Sequence, residues 1–164
     1  VWLWRDQLRA RAKGPVVMRM TLIVGSDHAG LELKRELLGV AAELGYEVID
    51  IGTHTSDSTD YPDYAHQVAS AVGRGEGLGL LVCGTGLGMS MAANRHPGVR
   101  AAACGDVFSA SMTRQHNDAN LLCIGSRVVG PGLAAEILKA FLNASFEGGR
   151  HERRVNKIEP SNEG

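Results

Sequence analysis

Apolar residues recur along this chain in two alternating rhythms. Short apolar runs read as buried strands: Thr21-Leu22-Ile23-Val24-Gly25, Glu47-Val48-Ile49-Asp50-Ile51, Gly79-Leu80-Leu81-Val82-Cys83, Val99 to Ala103, and Leu121 to Ile124. Between them lie stretches with helical spacing. Leu31, Leu33, Leu37, Leu38, Ala41 and Leu44 mark a first helix, which Gly45 stops. A polar loop over residues 52–60 leads into a second helix, capped by Thr59 or Asp60, with Pro62 in its first turn. It carries Ala65, Val68, Ala69 and Val72 and ends at Gly73 and Gly75. Further helices are expected from about Met89 to Asn94, Asp106 to Gln115 and Leu133 to Phe141. This order predicts an α/β fold: a doubly wound, Rossmann-like, five-stranded parallel sheet with helices on both faces. Ligands of such folds lie at the carboxyl ends of the strands.

Composition narrows the picture without changing it. The 164 residues are 44% hydrophobic and 21% charged, with a formal net charge of −1. That is ordinary globular usage, with no overall electrostatic case for nucleic acid or an anionic membrane. No apolar run approaches the roughly 18–20 residues of a membrane span. Residues 1–18, with Trp2, Trp4 and a basic bias, differ from the rest and are read as an N-terminal extension. A flexible appendage or an upstream coding artefact is expected there, since Met18 and Met20 could each start a complete domain. A single domain is expected over residues 19–158, with residues 159–164 as a tail. The three cysteines, Cys83, Cys104 and Cys123, are odd in number and lack a CxxC pair, so a reducing, cytoplasmic setting fits best.

The strand-end rule singles out three segments: Ser26-Asp27-His28, Cys83-Gly84-Thr85-Gly86-Leu87-Gly88 and Gly105-Asp106. In the second, alternate glycines between strand and helix let backbone N–H groups turn toward an anion or a developing oxyanion. A P-loop needs Lys and Ser/Thr after its last glycine, where Met89-Ser90 stands. A dinucleotide fingerprint would place its last glycine, and a cysteine-dependent phosphatase its arginine, at Met89. None of those three families is supported. A tight strand–helix turn is the plain structural alternative.

Cys83 at the strand tip is placed to carry a thiolate, as nucleophile or general base, although most buried cysteines are inert. His116, in Arg114-Gln115-His116-Asn117-Asp118, falls where the fourth helix loses its apolar pattern, a place where histidine often only caps a helix. Arg150 and Arg154 lie one helical turn apart and share a face. Glu147 or Glu152 could neutralise them, or a phosphate could bridge them. Arg127 follows the fifth strand and points to the same ligand edge. The histidines show no metal-binding spacing, so no metal is assigned.

Taken together, these segments resemble the ribose-5-phosphate isomerase B family, which shares its fold with galactose-6-phosphate isomerase subunits. The likeness runs through Ser26-Asp27-His28-Ala29-Gly30, Asp60-Tyr61-Pro62-Asp63-Tyr64-Ala65, Cys83 to Gly88, Arg114 to Asp118, Gly125-Ser126-Arg127 and Glu147 to Arg154, in the family's order. It covers about residues 20–158. The resemblance implies a metal-free, cofactor-free aldose–ketose isomerase acting on ribose 5-phosphate and ribulose 5-phosphate through an enediolate. It implies Cys83 as base and His116 as the acid that opens the sugar ring. The N–H groups of Gly84, Thr85, Gly86, Leu87 and Gly88, with the Thr85 hydroxyl, would hold the enediolate. Asp27, His28 and Asn117 would hold sugar hydroxyls or phosphate, and Arg127, Arg150 and Arg154 the phosphate. It further implies a homodimer or homotetramer with sites shared between subunits. An isomerase of a six-carbon sugar phosphate, allose or galactose 6-phosphate, is the nearest alternative. A non-catalytic phosphosugar-binding module would need neither Cys83 nor His116.

Overall fold

A computed structural model describes residues 19–161. The expectations for residues 1–18 and for the last residues of the tail lie outside that range. Five strands, β1 (Thr21–Ser26), β2 (Glu47–Asp50), β3 (Leu78–Cys83), β4 (Ala101–Ala103) and β5 (Leu121–Gly125), form one sheet in the order β2-β1-β3-β5-β4. Every pairing is parallel. The connecting helices are α1 (Leu31–Glu43), α2 (Tyr61–Gly73), α3 (Leu87–Ala93), α4 (Val107–Asn117) and α5 (Pro131–Asn143), and a short α6 (Arg150–Val155) follows.

Strand alternation divides the core between the two faces of the sheet. Leu22, Val24, Leu80, Val82, Leu122 and Ile124 point to one face, where Leu33 and Leu37 of α1, Ala110 of α4 and Ile137, Leu138 and Phe141 of α5 cover them. Ile23, Leu81, Cys83, Leu121 and Cys123 point to the other, against Ala65, Val68 and Val72 of α2 and Met89 of α3. With both faces covered, the central strands read as continuous apolar runs rather than alternating ones. No helix among the described residues is long and apolar enough to cross a membrane.

Local boundaries depart from the periodicity in informative places. Strand β4 begins at Ala101 rather than Val99, because Val99 N–H closes a turn on His96 and Arg100 N–H is taken by the Asn120 side chain. Helix α3 begins two residues before Met89, straight after Gly86. Helix α4 runs on through His116 to Asn117, and Asp118 ends it in the left-handed region at φ 47°. The polar residues that break its apolar pattern are therefore its partly buried last turn, still helical. Helix α5 starts at Pro131, whose fixed φ suits a first turn.

Candidate active site

At the carboxyl edge of the sheet, Cys83 pairs in register with Gly125. The thiol is buried, and Gly86 N–H donates to its Sγ at 3.1 Å. Two glycines make this turn possible. Gly86 sits at φ 77°, and a Cβ there would come within 3.0 Å of the Ile124 backbone. Across from it, a Cβ on Gly125 would lie 2.6 Å from the Thr85 backbone, so the loop rests directly on β5. Leu87 N–H is held by Thr85 Oγ1 at 3.3 Å. Arg127 folds over the same loop: its N–H donates to Gly84 O at 3.0 Å, and its guanidinium lies against Gly84.

Asp27 is buried beside this loop, accepting Gly30 N–H at 3.0 Å, while its own N–H donates to Val82 O. His28 Nδ1 accepts Thr59 N–H at 3.1 Å, which leaves Nε2 as the site of the proton in the neutral ring. The loop that brings Thr59 is anchored by a buried lysine. Lys34 Nζ donates to Asp50 Oδ1 at 2.7 Å and to Thr53 O at 2.6 Å. The other thiols differ from Cys83 in their surroundings. Burial, with Asp106 nearby, pushes Cys104 up to about 11, and full burial drives Cys123 upward as well. Asp106 at the third strand-end segment is a helix cap, accepting from Ser109 N–H and Oγ, which lowers its carboxyl below the usual range.

The remaining candidates stand elsewhere. Helix α4 starts at the carboxyl edge and runs back for 11 residues, a rise of about 16 Å. His116 and Asn117, in its last turn, are therefore at the amino edge, opposite Cys83. Helix α6 meets them there: Glu147 N–H donates to Gln115 O at 3.0 Å. The His116 and His151 rings stack at 4.2 Å between centroids and 11° between planes. Glu147 Oε2 lies 3.9 Å from His116 Nε2 and 3.6 Å from His151 Nε2. Arg150 and Arg154 are exposed on α6, and among the described residues neither forms an ion pair. Glu147 faces the histidines rather than the arginines. One chain thus brings together Asp27, His28, Cys83 to Gly88 and Arg127 at one edge, and His116, Asn117, Arg150 and Arg154 at the other.

Residues 22–158 match the family model described as Ribose/Galactose Isomerase. This chain belongs to that family. Ribose-5-phosphate isomerase B of Escherichia coli is 54% identical over 135 residues, covering 82% of this chain and 91% of that protein. Among solved structures, ribose-5-phosphate isomerase B of Clostridium thermocellum superposes with a TM-score of 0.83 at 54% identity, over 85% of this chain and 95% of that one. The Mycoplasma genitalium enzyme, solved with bound ribulose 5-phosphate, gives 0.83 at 42% identity, over 86% and 95%.

Two features escaped the sequence reading. One is a cavity of about 620 Å³ that lies away from Cys83. It is lined by Ile49, His66, Arg74, Glu76 and His96, and Arg74 is already paired with Glu76 at 2.9 Å. The other is the gathering of His116, Glu147 and His151, whose donor atoms lie within 4.8 Å of one another. Two nearly parallel ring planes do not converge on one point, so this arrangement suits stacking better than joint metal ligation. Glu147 and His151 fall within a segment that carried the family resemblance, but nothing along the chain linked them to His116.

Proposed function

We propose that this chain interconverts D-ribose 5-phosphate and D-ribulose 5-phosphate, using two half-sites contributed by two copies. The observation that carries the reading is the Cys83 thiol under the Gly86 N–H at the carboxyl edge of the sheet, within a family of sugar-phosphate isomerases. His116 donates a proton to the ring oxygen as the C1–O bond breaks; the C1 hydroxyl gives its proton to solvent water and the aldehyde forms. The Cys83 thiolate then takes the C2 proton, giving an enediolate, and returns it to C1 while the O2 proton passes to O1, leaving the C2 ketone. The N–H groups of residues 84–88 that the loop does not already use hold the oxyanion, since Gly86 N–H is on the thiol and Leu87 N–H on Thr85 Oγ1. Asp27, His28 and Asn117 hold hydroxyls or phosphate, while Arg127, Arg150 and Arg154 hold the phosphate. No cofactor or metal takes part, and the isomerase unit is assigned to residues 19–158.

The need for a second copy follows from the separation of Cys83 and His116. An apolar surface at the carboxyl edge supports it: Phe108 is 74% exposed, Met91 66%, Val128 62% and Leu87 54%. Large exposed apolar patches are covered by partners, and a symmetric pair would set one copy's amino-edge cluster against the other's thiol. The free, buried thiols support a reducing, cytoplasmic setting.

Mixing two inactive variants tests this. Cys83→Ser and His116→Ala should each lose turnover on ribose 5-phosphate. Unfolded and refolded together, they should regain about a quarter of wild-type turnover, because random pairing makes half the dimers mixed, each with one intact site. A mixture as inactive as its parents, with dimers present, would rule out the shared site. Turnover of allose 6-phosphate above that of ribose 5-phosphate would move the assignment to a six-carbon substrate.

A further inference from the structure

We infer that His151, together with Glu147, is a positioning residue for the ring-opening acid, its stacked ring setting the plane in which His116 presents its proton. The inference rests on the ring-opening role proposed above for His116. His116 lies in the last turn of α4, where its own helix supports it on one side only. His151 comes from α6, is buried, and lies flat against the His116 ring at 4.2 Å. Glu147 closes the Nε2 edge of both rings, at 3.9 and 3.6 Å, and its backbone N–H is fixed to Gln115, next to His116. The imidazole is thus restrained in tilt by a ring and in rotation by a charge.

The electrostatics agree with that geometry. Burial first, and then the positive neighbours His116, Arg150 and Arg154, hold His151 below the usual histidine range, against Glu147, which raises it. A neutral His151 leaves the Glu147 carboxylate to face His116 without a competing cation. The chain connectivity adds a consequence. Arg150, His151 and Arg154 share one short helix. The element that grips the phosphate therefore also backs the acid, so substrate capture and acid placement are mechanically linked.

The substrate itself separates this role from a merely structural one. Ribulose 5-phosphate has no furanose form, because the hydroxyl that would close the ring carries the phosphate. Exchange of its C1 hydrogen in deuterated water needs Cys83 but no ring opening. His151→Ala should therefore slow turnover of ribose 5-phosphate by about 10- to 100-fold, the scale of a misplaced catalytic group. It should leave C1 exchange within about twofold of wild type, since the base is untouched. His151→Phe, which keeps a flat face, should restore most of the turnover. If alanine unfolds the chain, His151→Leu, which fills the space without a flat face, should show the same split. Wild-type turnover in the alanine or leucine variant would overturn the inference, and so would equal loss of turnover and exchange in a folded variant, or failure of phenylalanine to rescue. His116→Ala is the separate control. If it keeps ribose 5-phosphate turnover, the ring-opening role of His116 is wrong; if it loses turnover while His151→Ala does not, only the positioning role fails.

Discussion

At the carboxyl edge of the sheet Cys83 is held by backbone, whereas at the amino edge His116 is held by side chains. The thiol sits at a strand end, under an N–H from a glycine turn that rests on the neighbouring strand. Little there can rotate. The imidazole sits in the last turn of a helix, half exposed, against a second imidazole and a carboxylate. The difference matches the tasks proposed for the two edges. Stabilising an oxyanion calls for fixed dipoles that do not reorganise. Delivering a proton to a ring oxygen calls for a titratable group in a set orientation, which side-chain packing can supply.

The largest effect is expected from breaking the carboxyl edge. Cys83→Ser should keep the fold and phosphosugar affinity but lose about 100-fold or more of turnover, the range of general-base contributions. Both ribose 5-phosphate turnover and C1 exchange of ribulose 5-phosphate should fall, unlike the split expected for His151→Ala. Near-normal exchange would remove Cys83 from the mechanism.

Next comes the phosphate grip at the amino edge. A charge-assisted hydrogen bond is worth roughly 1.5–3 kcal/mol, so Arg154→Ala should raise KM about 10- to 150-fold, with a smaller loss of kcat. An unchanged KM in steady-state assays would mean that α6 does not reach the substrate.

A third variant disturbs the carboxyl edge only through its support. Lys34→Met removes the partner of Asp50 and the donor to Thr53 O. Breaking a buried pair costs about 3 kcal/mol at the lower end of the usual range, the appropriate end because Asp50 is partly exposed. Urea unfolding should record that loss, and the Michaelis constant should rise modestly as the loop bearing Thr59 loosens around His28. Unchanged stability would mean that the pair contributes no more than an apolar contact.

The smallest expected effect is none. Prolonged chelation should leave turnover unchanged, since the proposed chemistry uses no metal and the two amino-edge rings do not converge on a common point. Loss of activity restored by a divalent ion would contradict both statements.

Much of the fold was legible along the chain. Every strand and helix named from periodicity is present among the described residues, with the larger shifts at the ends of α3, α4, α5 and β4. Those shifts have local causes that periodicity does not register: a left-handed glycine before α3, a left-handed Asp118 after α4, a proline opening α5, and Asn120 capping the edge of β4. The carboxyl-edge candidates were legible for the same reason as the strands. They directly follow strand tips, and parallel strands bring their tips to one edge.

Which residues stand at strand ends and which share a helix face is written locally along the chain, because backbone geometry and the burial of apolar side chains act over a few neighbouring residues. That Cys83 and His116 lie at opposite edges of one chain, and that His116 is backed by His151 and faced by Glu147, emerges only from packing. The distance of His116 from the thiol depends on the length and direction of α4, and its contact with His151 on where α6 docks. Both are settled by how whole elements pack, and no local pattern around either histidine encodes them.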